Sequence, residues 1–463
     1  MSTLRRAPFA LALLLTGLTA VESAAAPIEL VDKRRNYWVY DDVDGSVEHA
    51  NWFSRDPFFV GWHAIEDGYL ATHADDSQFV VIYSTFKLVQ GVGAFYQSLE
   101  NDVHGIGYEL AADIDAIIPA PYFDDTPKSQ IFGFLHMNDW HNFLLPGLTG
   151  LDETWISLVF GQELGHAWLS FVRFYDDQQQ VSTSMLGRAL AHWSFYLHTG
   201  GSPIQGHDWV DNGDGTFTAQ KHDAFQYSDL DLYLMGLMPA DEVEPWFLIE
   251  DPHDCIDSAK DDKSCAPADA FQFQADSYTV SGTRRDLTIK QVLDFEGPRV
   301  PAYPDAPNKF DISFLLIKRP DEVLCDDELE AIEAVVERSI EMWVDQTRGR
   351  ATLTNRTASD SARPGVSCSP TETTGGETTG SETTGGTTSS TTGDATTTTD
   401  AGTSTSTGAT SSEETDSATS SSTGGEIEPG GCACRSDAGA RSSGLLALVG
   451  LLALGRRRRR VDG

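Results

Sequence analysis

Apolar segments with an aromatic and β-branched character dominate the first third of the chain. Three of them are "NYWVY" (36–40), "QFVVIYSTF" (78–86) and "SQIFGFLHMND" (129–139), with Asp, Gly or Ser at or near their ends. Residues of these types favour the extended, half-buried backbone of a β-strand. The pattern therefore predicts that the first part of the chain is rich in strands.

Helical patterns begin with "LDETWISLVFGQELGHAWLSFVRF" (151–174), which is apolar on nearly every side. This composition predicts a buried helix, and Asp152 is placed to cap its first turn. Three further helices are expected at "SMLGRALAHWSFYL" (184–197), "SDLDLYLMGLM" (228–238, N-cap Ser228) and "DDELEAIEAVVERSIEMWV" (326–344). Strands first, a buried central helix and a helical C-terminal part predict an α+β fold.

The two ends of the chain have compositions that do not suit a packed core. The first 26 residues combine Arg5 and Arg6 with an apolar run and an Ala-rich end, which is typical of an export signal peptide cleaved near Ala26. Residues 369–430 are Thr, Ser and Gly with scattered acids, which predicts a disordered linker. The expected organisation is a signal peptide (1–26), a folded domain (27–368), the linker (369–430) and a C-terminal anchor segment (431–463).

Charge and cysteine content narrow the function. The formal net charge of −38 argues against nucleic acid as a partner, because nucleic-acid binding requires a basic face. Some of the acids could bind calcium outside the cell. Cysteines in an exported protein favour disulfides, and we expect Cys255–Cys265 and Cys325–Cys368, although four cysteines allow three pairings.

The candidate chemistry lies in "GQELGHAW" within the central helix. Gln162 and His166 are four residues apart, so both project from one helix face and could grip one metal ion. Glu163 is placed to act as general base on a water molecule that zinc activates. Gly165 leaves room for a neighbouring segment. The carboxamide oxygen of Gln162 is a poorer zinc ligand than an imidazole nitrogen.

Three later strings accompany this motif: "AHWSF" (191–195), "DNGDGTFT" (211–218) and "SDLDLYLMG" (228–236). In this order they resemble secreted bacterial zincin-like metallopeptidases of the gluzincin kind, in which His-Glu-x-Gly-His precedes similar strings. The resemblance covers roughly residues 80 to 245. It implies a zincin-like fold, zinc, His166 as a ligand, Glu163 as the base and a degenerate first ligand at Gln162. It also implies an acidic third ligand on the later helix, for which we prefer Asp231 over Asp229.

His192 is a second candidate for chemistry. We place it on a helix among apolar neighbours, where a buried polar group needs a partner. It could donate a hydrogen bond to the oxyanion of a tetrahedral intermediate, replace the missing ligand of position 162, or be a satisfied core histidine. The string at 211–218 reads as a hairpin turn rather than a calcium loop. His136 and His141 are expected on the surface of the loop before the central helix.

The tail carries a separate resemblance. Cys432 and Cys434 are followed by a short apolar run at 445–454 and by five arginines at 456–460. This order is similar to the myxobacterial C-terminal sorting signal (MYXO-CTERM). The resemblance implies export to the cell surface or outer membrane, with a processed tail as the contact to the envelope.

Two functions follow from these patterns. The first is a surface or secreted zinc metallopeptidase that hydrolyses extracellular proteins or peptides. The second is a non-catalytic binding or interaction module on the same fold, because the motif has kept the base and one histidine but not the other. An envelope protein whose helix only looks like the motif is the remaining alternative.

Overall fold

The computed structural model describes residues 27–49, 61–88, 93–99, 101–108, 129–146, 149–222, 224–258, 263–271 and 277–359. The expected signal peptide, linker and C-terminal segment lie outside these residues, and so does Cys368. In the described part of the chain, none of the helices has the length and apolar content needed to cross a membrane.

Seven strands form the first sheet. They are β1 (Ile28–Lys33), β2 (Trp38–Asp42), β3 (Phe79–Ser84), β4 (Phe95–Ser98), β5 (Gly133–Asp139), β14 (Lys309–Lys318) and β15 (Thr352–Asn355). The order is β1-β2-β14-β3-β5-β4, with β15 also beside β14. The pairs β2/β14, β14/β3 and β3/β5 are parallel, whereas the edge pairs β1/β2 and β4/β5 are antiparallel. The three strands predicted from the sequence at 36–40, 78–86 and 129–139 are confirmed.

Helices cover both faces of this sheet. The α-helices of the described residues are α1 (Gly61–Thr72), α2 (Glu153–Gly165), α3 (Asp229–Leu234), α4 (Ile289–Glu296) and α5 (Asp326–Gln346). Of these, α1 packs on one face of the sheet, and α2 and α5 pack on the other. Every residue of β3 is buried, and successive side chains point to opposite faces. Val81 packs in one cluster with residues of α2 and α5, and Val80 packs in another with residues of α1. Coverage of both faces explains why β3 is a continuous apolar run.

Most of the second sheet was not foreseen. Its strands are β8 (Trp193–His198), β9 (Gln205–His207), β10 (Trp209–Asp211), β11 (Thr216–Gln220), β12 (Trp246–Asp257) and β13 (Ser277–Leu287), in the order β10-β11-β13-β12-β8-β9. A short hairpin, β6 (Phe174–Tyr175) with β7 (Val181–Ser182), precedes it. The α+β class is therefore right, but a helical C-terminal part describes only the region of α5 well.

The helix predicted at 184–197 is wrong. A single 3-10 turn occupies Arg188–Leu190, and β8 begins at Trp193, so His192 lies just before a strand and not on a helix. Ala189 and Leu190 have positive φ angles of 56° and 52°, which no α-helix allows. A buried apolar run fits a buried strand as well as a buried helix, so its periodicity did not separate the two.

Other local predictions have mixed outcomes. The disulfide Cys255–Cys265 is present. Residues 212–215, within the string 211–218 that predicted a hairpin turn, connect the antiparallel strands β10 and β11. The expected position of His136 in a surface loop is wrong. It lies inside β5, where its ring is fully buried. His141 does lie on an exposed 3-10 turn after that strand.

Candidate functional site

The last turn of α2 carries the motif. Asp152 caps the helix by accepting a hydrogen bond from the backbone N–H of Trp155, as the sequence predicted. Gln162 and Glu163 are fully buried, and the carboxamide Nε2 of Gln162 donates to Oε1 of Glu163 at 3.3 Å. A Cβ on Gly165 would lie 2.7 Å from Cδ1 of Ile204. Glycine at this position therefore allows the loop before β9 to pack directly on the helix end.

His166 lies at the C-cap of α2 and is 1% exposed. Its Nδ1 donates to the carbonyl oxygen of Leu169 at 3.0 Å, which leaves the lone pair on Nε2. Nε2 is buried and has no hydrogen-bond partner among the residues that the structure describes. Burial, with a smaller effect of the Arg188 charge, lowers the pKa of His166 to about 4. The ring is therefore neutral at physiological pH and able to bind a metal ion.

His192, directly before β8, packs against the ring of His166. Its ring is fully buried, 4.8 Å from that of His166 between centroids and at 87° to it. Nδ1 donates to the carbonyl oxygen of Arg188 at 2.8 Å, so Nε2 carries the lone pair in this ring also. Burial, together with the charge of Arg188 and the ring of His166, holds the pKa of His192 well below its usual value.

Arg188 is the residue that the sequence reasoning missed. Its Nη2 donates to Nε2 of His192 at 2.8 Å, and its guanidinium faces the ring of Phe271 at 5.8 Å. The only signal in the sequence is one cation inside an otherwise apolar run, four residues before His192. The contact between the two side chains is made within an irregular turn.

Asp231, which the sequence favoured over Asp229 as the acidic ligand, is fully buried. Its hydrogen-bond partners are a tryptophan side chain and a backbone N–H. Its Oδ1 accepts a hydrogen bond from the indole N–H of Trp193 at 2.7 Å, and its Oδ2 accepts one from the backbone of Ser228 at 2.8 Å. Burial raises the pKa of the carboxyl group. These two donors are the hydrogen-bond partners that a buried carboxylate requires. Asp229 instead forms an ion pair with Arg348 at 2.6 Å.

Of the predicted ligands, His166 and His192 have adjacent rings, whereas Asp231 is hydrogen-bonded to Trp193 and Ser228. Imidazoles that bind one tetrahedral zinc ion through Nε2 place their ring centroids about 5 Å apart, close to the separation of His166 and His192. In the described ranges, no group of three or more His, Cys, Asp or Glu side chains forms a candidate metal site. The carboxamide of Gln162 lies one turn before His166 on α2.

Comparison of the chain with protein-family models, curated proteins and solved structures finds no match. The resemblance to zincin-like peptidases therefore stays a prediction. The function has to be argued from the buried side chains at the end of α2 and before β8, and from their chemistry.

Proposed function

We propose that the chain is an exported, zinc-dependent hydrolase of peptide bonds whose site lies at the end of α2. The observation that carries this proposal is the pairing of two buried neutral imidazoles, His166 and His192. Each donates Nδ1–H to a backbone carbonyl, which is the arrangement by which metal-binding histidines are usually oriented. The buried carboxylate of Glu163 lies on the same helix end.

The chain's own groups would divide the chemistry as follows. Zinc, when bound, supplies a Lewis acid that polarises a carbonyl group and favours ionisation of water. His166 and His192 would hold the ion through Nε2. Glu163 is the general base, which accepts the proton of the attacking water and delivers it to the leaving amine. Burial strengthens the electrostatic interactions among these groups.

We assign a positioning role to Asp231 in place of the predicted role as ligand. Its carboxylate joins Trp193, the residue after His192, to the first turn of α3 through Ser228. These contacts hold the start of β8, and with it the residue after His192, against the first turn of α3. The proposal therefore makes His192 the substitute for the histidine that position 162 lacks, with Gln162 as the weak third ligand.

Metal content and hydrolysis test the proposal on the full mature chain. We expect about one zinc per chain, lost in His166→Ala and in His192→Ala, because each removes one of two nitrogen ligands. Glu163→Gln should keep zinc and lose about 10²- to 10⁴-fold in the hydrolysis of a labelled unfolded protein. His141→Ala, which removes an exposed ring, is the matched control. Retention of zinc in both ligand variants would contradict the assignment.

A non-catalytic binding module is the second candidate, and the hydrogen bond from Gln162 to Glu163 favours it. This bond directs an amide donor at the base, where a working site has a third imidazole ligand instead. If the parent chain lacks zinc and hydrolysis while Gln162→His gains both, the second candidate is correct. If Gln162→His also binds no zinc, the site itself has been assigned wrongly.

A further inference from the structure

We propose that Arg188 controls access of the metal ion to the site, because its guanidinium and a divalent cation compete for the same nitrogen, Nε2 of His192. This inference rests on the proposed zinc site. Arg188 is then a positioning residue that holds the metal-free state, and metal uptake requires its side chain to leave the two imidazoles.

The direct evidence is the contact itself. Nη2 of Arg188 lies 2.8 Å from Nε2 of His192. The guanidinium has only donors, so this hydrogen bond uses the single lone pair of the imidazole. A zinc ion would need that same lone pair at about 2.0–2.1 Å. One nitrogen cannot serve both at once, so the two states exclude each other.

Electrostatic repulsion between Arg188 and a zinc ion also makes the two states exclude each other. The guanidinium of Arg188 lies 2.8 Å from Nε2 of His192, and the ring of His192 lies 4.8 Å from that of His166 between centroids, so the charge of Arg188 acts on both imidazoles. A second cation brought among these buried rings would be repelled by the guanidinium, and low local polarity leaves that repulsion weakly screened. Metal binding and withdrawal of Arg188 are therefore coupled.

The backbone beside Arg188 is held by contacts that do not involve the Arg188 side chain. The N–H of Gly187 donates to the carbonyl oxygen of His192 at 2.7 Å and closes the turn. A Cβ on Gly187 would lie 2.7 Å from the carbonyl oxygen of Ala268, so the chain is tightly held at this point. Rotation of the long Arg188 side chain away from His192 leaves these contacts intact.

The experiment compares zinc affinity in the full mature chain and in Arg188→Met, by competition with a chromophoric chelator. Methionine fills much of the same space beside Phe271 and removes the charge. We expect zinc to bind about tenfold more tightly or better, which corresponds to loss of one charge-assisted hydrogen bond. Arg188→Lys, which keeps a cation without the planar fork, should fall between the two.

If Arg188 only supported the structure of the site, Arg188→Met would bind zinc more weakly, because damage to the site weakens zinc binding. Thermal unfolding in the presence of a strong chelator checks that Arg188→Met is folded, and Arg284→Met, in the second sheet, is the matched control. Equal or weaker zinc binding in Arg188→Met overturns the inference. If Arg188→Met binds zinc more tightly but hydrolyses nothing, this inference stands and the proposed hydrolase function fails. If neither variant of Arg188 nor Gln162→His binds zinc, both proposals fail.

Discussion

Two segments meet at the candidate site, and they are built in different ways. α2 is a capped, regular helix whose last turn presents Gln162 and Glu163 at spacings that the sequence determines. Residues 187–192 form an irregular turn, in which Ala189 and Leu190 have left-handed backbone angles and Arg188 bonds to His192 twice. A regular helix converts sequence spacing directly into geometry. In an irregular turn, the geometry follows from the packing around it.

The largest expected effect is a difference in the free energy of unfolding between two Leu-to-Ala variants, one in α2 and one in the turn at residues 187–192. Leu164→Ala, at a fully buried position of α2, should lower the free energy of unfolding by about 2–5 kcal/mol through lost burial and a residual cavity. Leu190→Ala, at a half-buried position of the turn, should cost less than half as much. Urea unfolding measures both. Equal losses would show that the turn is packed as firmly as the helix.

The fold was predictable from sequence where one pattern fits one structure. The cap at Asp152 and the amphipathic stripe of α5 have a clear helical signature, and both are present. The run at 184–197 lacks such a signature, since continuous burial erases the difference between helical and strand periods. β8 is therefore assigned correctly only once its neighbours β12 and β9 are known.

The candidate site also has one part that the sequence predicts and one part that it does not. Glu163 and His166 follow from helix geometry, and the sequence placed them together. The approach of His192 to His166 depends on how the second sheet packs against α2, which no local pattern encodes. Asp231 is fully buried. Its partner Trp193 lies on a strand where the sequence predicted a helix. Arg188 reaches His192 through the irregular turn before that strand, which no local pattern encodes.

A second prediction uses pH to probe the irregular part of the second sheet. His207 follows two residues with positive φ, Gln205 and Gly206, and both of its ring nitrogens are buried without a hydrogen-bond partner in the described part of the chain. Burial, with a smaller effect of His222, lowers its pKa to about 3. Between pH 6.5 and about pH 3, the side chain of His207 takes up a proton in the unfolded chain but stays neutral in the folded chain. Stability is therefore complete above about pH 6.5 and falls on acidification.

We expect His207 to account for a loss of roughly 1.5 kcal/mol between pH 6.5 and pH 5 in metal-free protein. His207→Gln should flatten the pH dependence of the unfolding free energy by that amount, whatever its effect at pH 7. Parallel curves for His207→Gln and the parent chain would mean that this ring is not held neutral by the fold.

The smallest predicted effect is that of replacing alanine by glycine, which should stabilise the irregular turn and destabilise a regular helix. Ala189 adopts a φ of 56°, a conformation that costs an L-residue about 1–2 kcal/mol and glycine almost nothing. Glycine also loses more chain entropy on folding, so Ala189→Gly should stabilise the protein by only about 0.5 kcal/mol. Ala334→Gly, inside the regular helix α5, should instead cost about 1 kcal/mol. Thermal unfolding of the metal-free variants gives both signs. If the two substitutions destabilise equally, the turn stores no backbone strain, and the contrast between the helix and the turn reduces to packing alone.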